Sequence, residues 1–169
     1  GRENIYEAAF AGNTTMEHIL CGINPAQLGE LPFVPSHARG LLVPAVELGI
    51  PIHHGAQAYV FPIIGGFVGG DTVAGMLATR MDRIEGPALM VDIGTNGEIV
   101  LAHNGVFLAA STAAGPAFEG ARIECGIRGT HGAIEKVVFD RDVRMEVIGN
   151  GAPAGICGSG LIDLVAELL

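Results

Sequence analysis

Acids, hydroxyls and glycines are spaced for phosphate chemistry in one stretch, residues 89–101. An apolar run ends in Asp92, a Gly-Thr-Asn-Gly turn (94–97) comes next, and Glu98 opens a second apolar run. Apolar β-branched residues on both sides of Asn-Gly signal a hairpin. A hairpin alone needs only its turn. Asp92 at the end of the incoming strand can hold a hydrated cation, and Thr95 adds a donor. Gly94 and Gly97 let backbone N–H groups converge on an anion. The same residues also fit a tight hairpin with a capping Thr. Short motifs match by chance often, so the local pattern leaves both readings open.

Four other loops lie at places where a helix should start. Gly-Asn-Thr-Thr (12–15) succeeds an apolar strand pattern, with Asn13 or Thr14 as the helix cap and Glu17 as a capping-box partner. Gly-Gly-Asp (69–71) comes after a buried strand over 57–64. Asp71 there fits a helix cap, and equally a catalytic acid at the C-terminal end of a strand, where open α/β sheets place such groups. Ala-Ala-Gly-Pro (113–116) puts Pro116 in the first turn of a helix behind Gly115, a small-residue anion site. A further loop, Gly-Ser-Gly (158–160), leads into a helix over 161–169, with Ser159 as its cap.

These groups need strands and helices to hold them. The pattern predicts a strand over 5–11, a turn opening a helix within 12–22 that stops at Gly22, and a long connection over 23–54 with a short element near 41–46. A helix is predicted over 73–81, then a meander over 88–93, 98–103 and 106–110 with its second turn at Asn104-Gly105. Strands over 133–139 and 144–148 meet at Asp140-Arg141-Asp142. His37, His53 and His54 in the long connection have no carboxylate or Cys at ligand spacing, so they read as solvated or supporting histidines.

Composition narrows the function. The chain has 169 residues, enough for one domain or two small lobes. Aromatics are 5% and Trp is absent, so the core must be aliphatic. A net charge of -9 argues against a nucleic-acid partner, and a polyanionic ligand would have to be held by backbone amides and a metal. The longest apolar run, 58–70, is interrupted by Pro62 and falls short of the roughly 20 residues a membrane helix needs, so no membrane role is expected. Cys21, Cys125 and Cys157 form no C-x-x-C pair and read as buried thiols in a reducing cytoplasm. The first residue is not Met and the last residues continue a helical pattern, so the chain reads as a piece cut from a longer protein.

Five motifs in order carry a family resemblance: Gly-Asn-Thr-Thr-Met (12–16), Gly-Gly-Asp (69–71), Asp-Ile-Gly-Thr-Asn-Gly-Glu (92–98), Ala-Ala-Gly-Pro-Ala-Phe-Glu-Gly-Ala (113–121) and Ile-Cys-Gly-Ser-Gly-Leu-Ile-Asp (156–163). The chain resembles the ATP-binding domain of the reductive activators of corrinoid proteins, in the acetate and sugar kinase/Hsc70/actin superfamily. The resemblance implies an α/β, actin-like (ribonuclease-H-like) ATPase fold with parts of two lobes. Residues 1–85 would be the later half of the first lobe with its connecting helix, and 86–169 the start of the second lobe with its phosphate hairpin. It implies ATP and Mg²⁺ as cofactors and a corrinoid protein as partner. In this scheme Asp92 holds the metal. Gly94, Thr95, Asn96, Gly97 and Gly115 contact the nucleotide, and Asp71 or Glu98 orients the attacking water.

The sequence departs from the family in two places. A second Asp-x-Gly-Thr hairpin upstream and a glycine-rich adenosine loop downstream are not in these 169 residues. The iron–sulfur domain of full-length activators is not in them either. The piece alone is therefore expected to bind ATP weakly and to be inactive. Two other functions fit the same motifs. One is a small-molecule kinase of the superfamily with Asp71 as base. The other is a non-catalytic module offering a partner surface or forming a homodimer.

Overall fold

The computed structural model describes residues 1–120 and 122–169, with the side chains of 118 and 119 left aside. The last residue of the 113–121 motif, Ala121, thus lies outside the described residues. The chain forms two compact units. The first is Gly1–Met90 with Glu98–Ser111, and the second is Val91–Gly97 with Thr112–Leu169.

The first unit begins with β1 (Glu7–Phe10), α1 (Thr14–Leu20), β2 (Leu41–Pro44) and β3 (Gln57–Val60). The sheet order is β1-β3-β2, with β1 parallel and β2 antiparallel to β3. Glycine ends α1 as expected: Gly22 takes φ +67, and Ile23 N–H donates to His18 O at 2.8 Å. The long connection is packed rather than structureless. It holds one-turn 3-10 helices at Ala26–Gly29 and Ala45–Leu48 on either side of β2. Ala45, Ala56 and Ala58 are fully buried, with Phe10, Val43, Leu48, Ile50 and Ile52 packed on them. Small residues at the centre let the loop close on the sheet.

The next helix, α2 (Gly70–Ala78), starts earlier than predicted, and its N-cap is Gly69. Asp71 is therefore not a cap. It sits inside the first helical turn, where a carboxylate is favoured by the helix dipole. Nor does it end a strand: β3 stops at Val60, and a Gly65–Val68 bridge intervenes. Pro62, which cannot donate to a ladder, lies just past the end of β3.

The meander is β4 (Ala88–Ile93), β5 (Asn96–His103) and β6 (Val106–Ala113), in that order. Its second turn uses Asn104 at φ 50 and Gly105 at φ 75, the left-handed pair a tight hairpin requires. Met81, Val100 and Ala102 form a second aliphatic core with Met76, Ala88, Met90 and Ala109.

The second unit carries β7 (Ala133–Asp140), β8 (Asp142–Val147), β9 (Gly155–Ile156) and α3 (Gly158–Leu168). Its sheet order is β8-β7-β9, with β7 antiparallel to β8 and parallel to β9. Arg141 at φ 57 makes the tight link between β7 and β8. Cys157, not Ser159, is the N-cap of α3. The expectation of three buried thiols also fails: Cys157 is buried, Cys21 is half-buried and Cys125 is exposed. Among the described residues no helix is long and apolar enough to cross a membrane.

Candidate functional site

Two groups of motif residues are built, one in each unit. In the second unit the hairpin tip is shorter than the sequence suggests. β4 ends at Ile93 and β5 begins at Asn96, so Gly94 and Thr95 alone make the turn. Gly94 N–H donates to Asn96 O at 3.0 Å. Neither Gly94 nor Gly97 has a positive φ. Space at Gly97 is snug: a Cβ there would stand 3.3 Å from Thr112 Cγ2 and 3.7 Å from Asp92 O.

Gly115 is brought to this turn. Its N–H donates to Thr95 O at 2.8 Å, and its φ of +79 with ψ 166 is a conformation that suits glycine. The segment after it, Pro116–Glu119, is a single 3-10 turn rather than the expected helix. The amides of Gly94 and Gly115 are thus engaged in bracing the turn. Neither of those two N–H groups is left to donate elsewhere in this arrangement. Asp92, Thr95 and Asn96 are exposed along the same hairpin. Glu98 belongs to the first unit and accepts from Ser111 Oγ at 3.2 Å.

The first unit joins the 12–16 and 69–71 motifs directly. Asn13 caps α1, its Oδ1 accepting from Met16 N–H at 2.9 Å. Glu17 reaches one residue further back than a capping box would: Oε1 accepts from Gly12 N–H at 3.1 Å. Gly12 O in turn accepts from Asp71 N–H at 3.1 Å. A Cβ on Gly69 would come within 2.6 Å of Gly12 O and 2.7 Å of Thr14 N. A Cβ on Gly70 would overlap Glu17 Oε1 and stand 2.8 Å from Phe61 Cβ. The two glycines are there so that the loops can touch. Asp71 is exposed, and its Oδ1 accepts from Thr72 N–H at 2.8 Å.

Around this junction the polar groups are fixed. Thr14 Oγ1 donates to Gly65 O at 2.8 Å. His18 Nε2 accepts from Ser36 N–H at 3.2 Å, which leaves its ring hydrogen on Nδ1 to donate to Thr14 O at 2.7 Å. Glu17 is 3% exposed, and neither its Oε2 nor Thr72 Oγ1 has a hydrogen-bond partner. Burial pushes the Glu17 carboxyl above its ordinary range, and the Asp71 charge adds to that. The Gly12 amide and His37 pull the other way without reversing it. Burial likewise raises the Cys21 thiol, helped by Glu17. Burial alone would also raise Cys157. The Ser159 hydroxyl and the amides of Gly160, Ser159 and Cys157 outweigh it, and the thiol sits below its ordinary range.

Of the predicted site residues, Thr95 and Gly115 are in contact, Gly94, Asn96 and Gly97 frame the same turn, and Asp71 is tied to Gly12. Asp71 and Glu98 lie in the first unit, Asp92 in the second. The sequence pattern marks Glu17 as a cap alone. Its burial beside Asp71 is signalled only by the paired glycines at 69 and 70. Asp92 is an exposed carboxylate one residue before the end of β4. An iron–sulfur centre finds no match: among the described residues no three His, Cys, Asp or Glu side chains cluster as metal ligands.

Comparisons with known proteins agree along the whole chain. Residues 1–84 match the RACo middle region, and residues 86–169 match the C-terminal domain of RACo, the ASKHA domain. The corrinoid activation enzyme RamQ of Eubacterium limosum is 41% identical over 167 residues, which is 98% of this chain and 28% of that protein. A Methanosarcina barkeri reductase of the Co(II) methylated amine-specific corrinoid protein is 40% identical over 78 residues, 46% of this chain and 14% of that protein. A solved reductive activator for a corrinoid, iron–sulfur protein superposes with a TM-score of 0.85 at 39% identity, over 100% of this chain and 27% of that one. The chain therefore spans little more than a quarter of the length of these full relatives. It has the α/β, actin-like ASKHA architecture, and it belongs to the family of reductive activators of corrinoid proteins.

Proposed function

We propose that this segment supplies the phosphate-binding hairpin and the acid-bearing junction of an ATP-dependent activator that resets Co(II) corrinoid proteins to Co(I). The observation that carries the reading is the Gly115–Thr95 bond, which braces the Asp92–Glu98 hairpin in a chain of this family. Bound ATP with Mg²⁺ would supply a phosphoanhydride whose hydrolysis is coupled to electron transfer from an iron–sulfur domain elsewhere in the parent polypeptide. On this chain Asp92 would hold the hydrated cation. Thr95, Asn96 and the glycines at 94, 97 and 115 would shape the turn around the phosphates. Asp71 or Glu98 would orient the attacking water, since both are fixed by hydrogen bonds, to Thr72 and Ser111. We place the parent in the cytoplasm, which the free thiols of Cys21, Cys125 and Cys157 support.

The test is a reconstitution. The intact parent, a Co(II) corrinoid protein, a low-potential reductant and ATP-Mg are mixed, and the Co(I) absorbance is followed. Co(I) should appear with ATP-Mg and not with a non-hydrolysable analogue. Equal Co(I) formation without nucleotide, or a phosphorylated small molecule as the product, would overturn the reading.

A further inference from the structure

Glu17, the one carboxylic acid buried among the described residues of the first unit, lies behind Asp71 and has no part in the hydrolysis proposed for the parent. We propose that Glu17 is a positioning residue for Asp71: its buried carboxyl locks the Gly12–Thr14 loop to the first turn of α2 and so sets where the Asp71 side chain stands. The proposal rests on Asp71 being an acid that orients the attacking water.

The link is continuous. Glu17 Oε1 accepts from Gly12 N–H at 3.1 Å, and Gly12 O accepts from Asp71 N–H at 3.1 Å. Gly70 lies directly on Oε1, since a Cβ there would overlap it, so the carboxyl touches the residue before Asp71 as well. Helix capping explains only the first of these contacts. Capping carboxylates usually stay near the surface, where water solvates the second oxygen. Here Oε2 is sealed from solvent and unpartnered.

Such an oxygen is tolerated as part of a neutral carboxyl and is costly as part of an anion. The groups facing Glu17 agree. Asp71 on α2 is acidic. Cys21, just past the end of α1, is pushed toward its neutral thiol. His18 is committed to Thr14 and Ser36. The Gly12 amide and His37, from the long connection, favour the anion, and burial outweighs them. The Glu17 carboxyl thus closes the junction from behind, and Asp71 stands at its exposed face.

The experiment uses the intact parent activator, with ATP hydrolysis measured against ATP concentration for Glu17→Ala, Glu17→Gln, Glu17→Asp and Asp71→Asn. Glu17→Ala should lower kcat by about tenfold or more with KM for ATP little changed, because the acid is displaced rather than the nucleotide lost. Glu17→Gln keeps the acceptor for Gly12 and should recover most of that turnover. If Glu17→Ala does not fold, Glu17→Asp decides, because its carboxyl is one methylene short of Gly12 N–H: a fall in kcat with KM for ATP unchanged supports the proposal, and parental kcat overturns it. Glu17→Gln as impaired as Glu17→Ala would also overturn it. Failure of the underlying role of Asp71 is seen separately, as Asp71→Asn turning over ATP at the parental rate. Loss in Asp71→Asn with none in a folded Glu17→Ala rejects the positioning role alone.

Discussion

Glu17 makes the first unit sensitive to pH in a direction opposite to most carboxylates. Burial raises its folded-state pKa above the ordinary 4.5. A raised value means that its contribution to stability is fully present below 4.5 and is lost as pH rises through the folded-state value. Glu17→Gln cannot ionise, so its melting temperature should gain on the parental chain as pH is raised from about 4 to about 8. An offset that stays constant across that range would contradict the assignment. Gly115 gives a second prediction at this scale. A Cβ there meets no neighbour, so Gly115→Ala isolates backbone strain at φ +79, ψ 166. The expected loss is about 1–3 kcal/mol in a urea unfolding midpoint. The NMR signals of Thr95 should shift with it, because its carbonyl loses a fixed donor.

The junction between the Gly12–Thr14 loop and α2 is built by subtraction: Gly69 and Gly70 remove side chains so that two loops can meet. Gly70→Ala should therefore cost about 2–4 kcal/mol, although alanine by itself favours a helix, because the added methyl meets both Glu17 and Phe61 Cβ. Circular dichroism during thermal unfolding reads this directly. Elements of this kind explain what is legible in the sequence and what is not. Apolar runs and the turns between them locate β1, the meander and the β7–β8 pair, whereas cap and stop residues locate α1, whose buried side chains Thr14, Glu17 and His18 are polar. Turn chemistry locates Gly22, Asn104-Gly105 and Arg141. Helix starts are misplaced at 70 and 158 because glycines there read as loop, whereas both helices begin on them, Gly70 packed tightly against Glu17 and Phe61. Asp71 stands out as a candidate acid, but local propensity places Asp before a helix rather than inside its first turn, so the pattern puts it at a cap or a strand end. The Gly115–Thr95 bond joins residues far apart in sequence, and no local pattern encodes it.

At the scale of the molecule, each unit is organised around one motif contact: Glu17–Gly12–Asp71 in the first, Thr95–Gly115 in the second. The chain covers about a quarter of its full-length relatives, so its chemistry belongs to the parent polypeptide. A net charge of -9 leaves a nucleotide's phosphates to be held by backbone, hydroxyls and a cation rather than by a basic patch. That puts the greatest weight on Asp92, the exposed carboxylate at the end of β4. The most direct measurement is ATP hydrolysis and Co(I) formation by the intact parent carrying Asp92→Ala, with folding checked by circular dichroism. The account predicts that both activities fall together by about a hundredfold or more in a folded protein. Parental ATP turnover in that variant would contradict it.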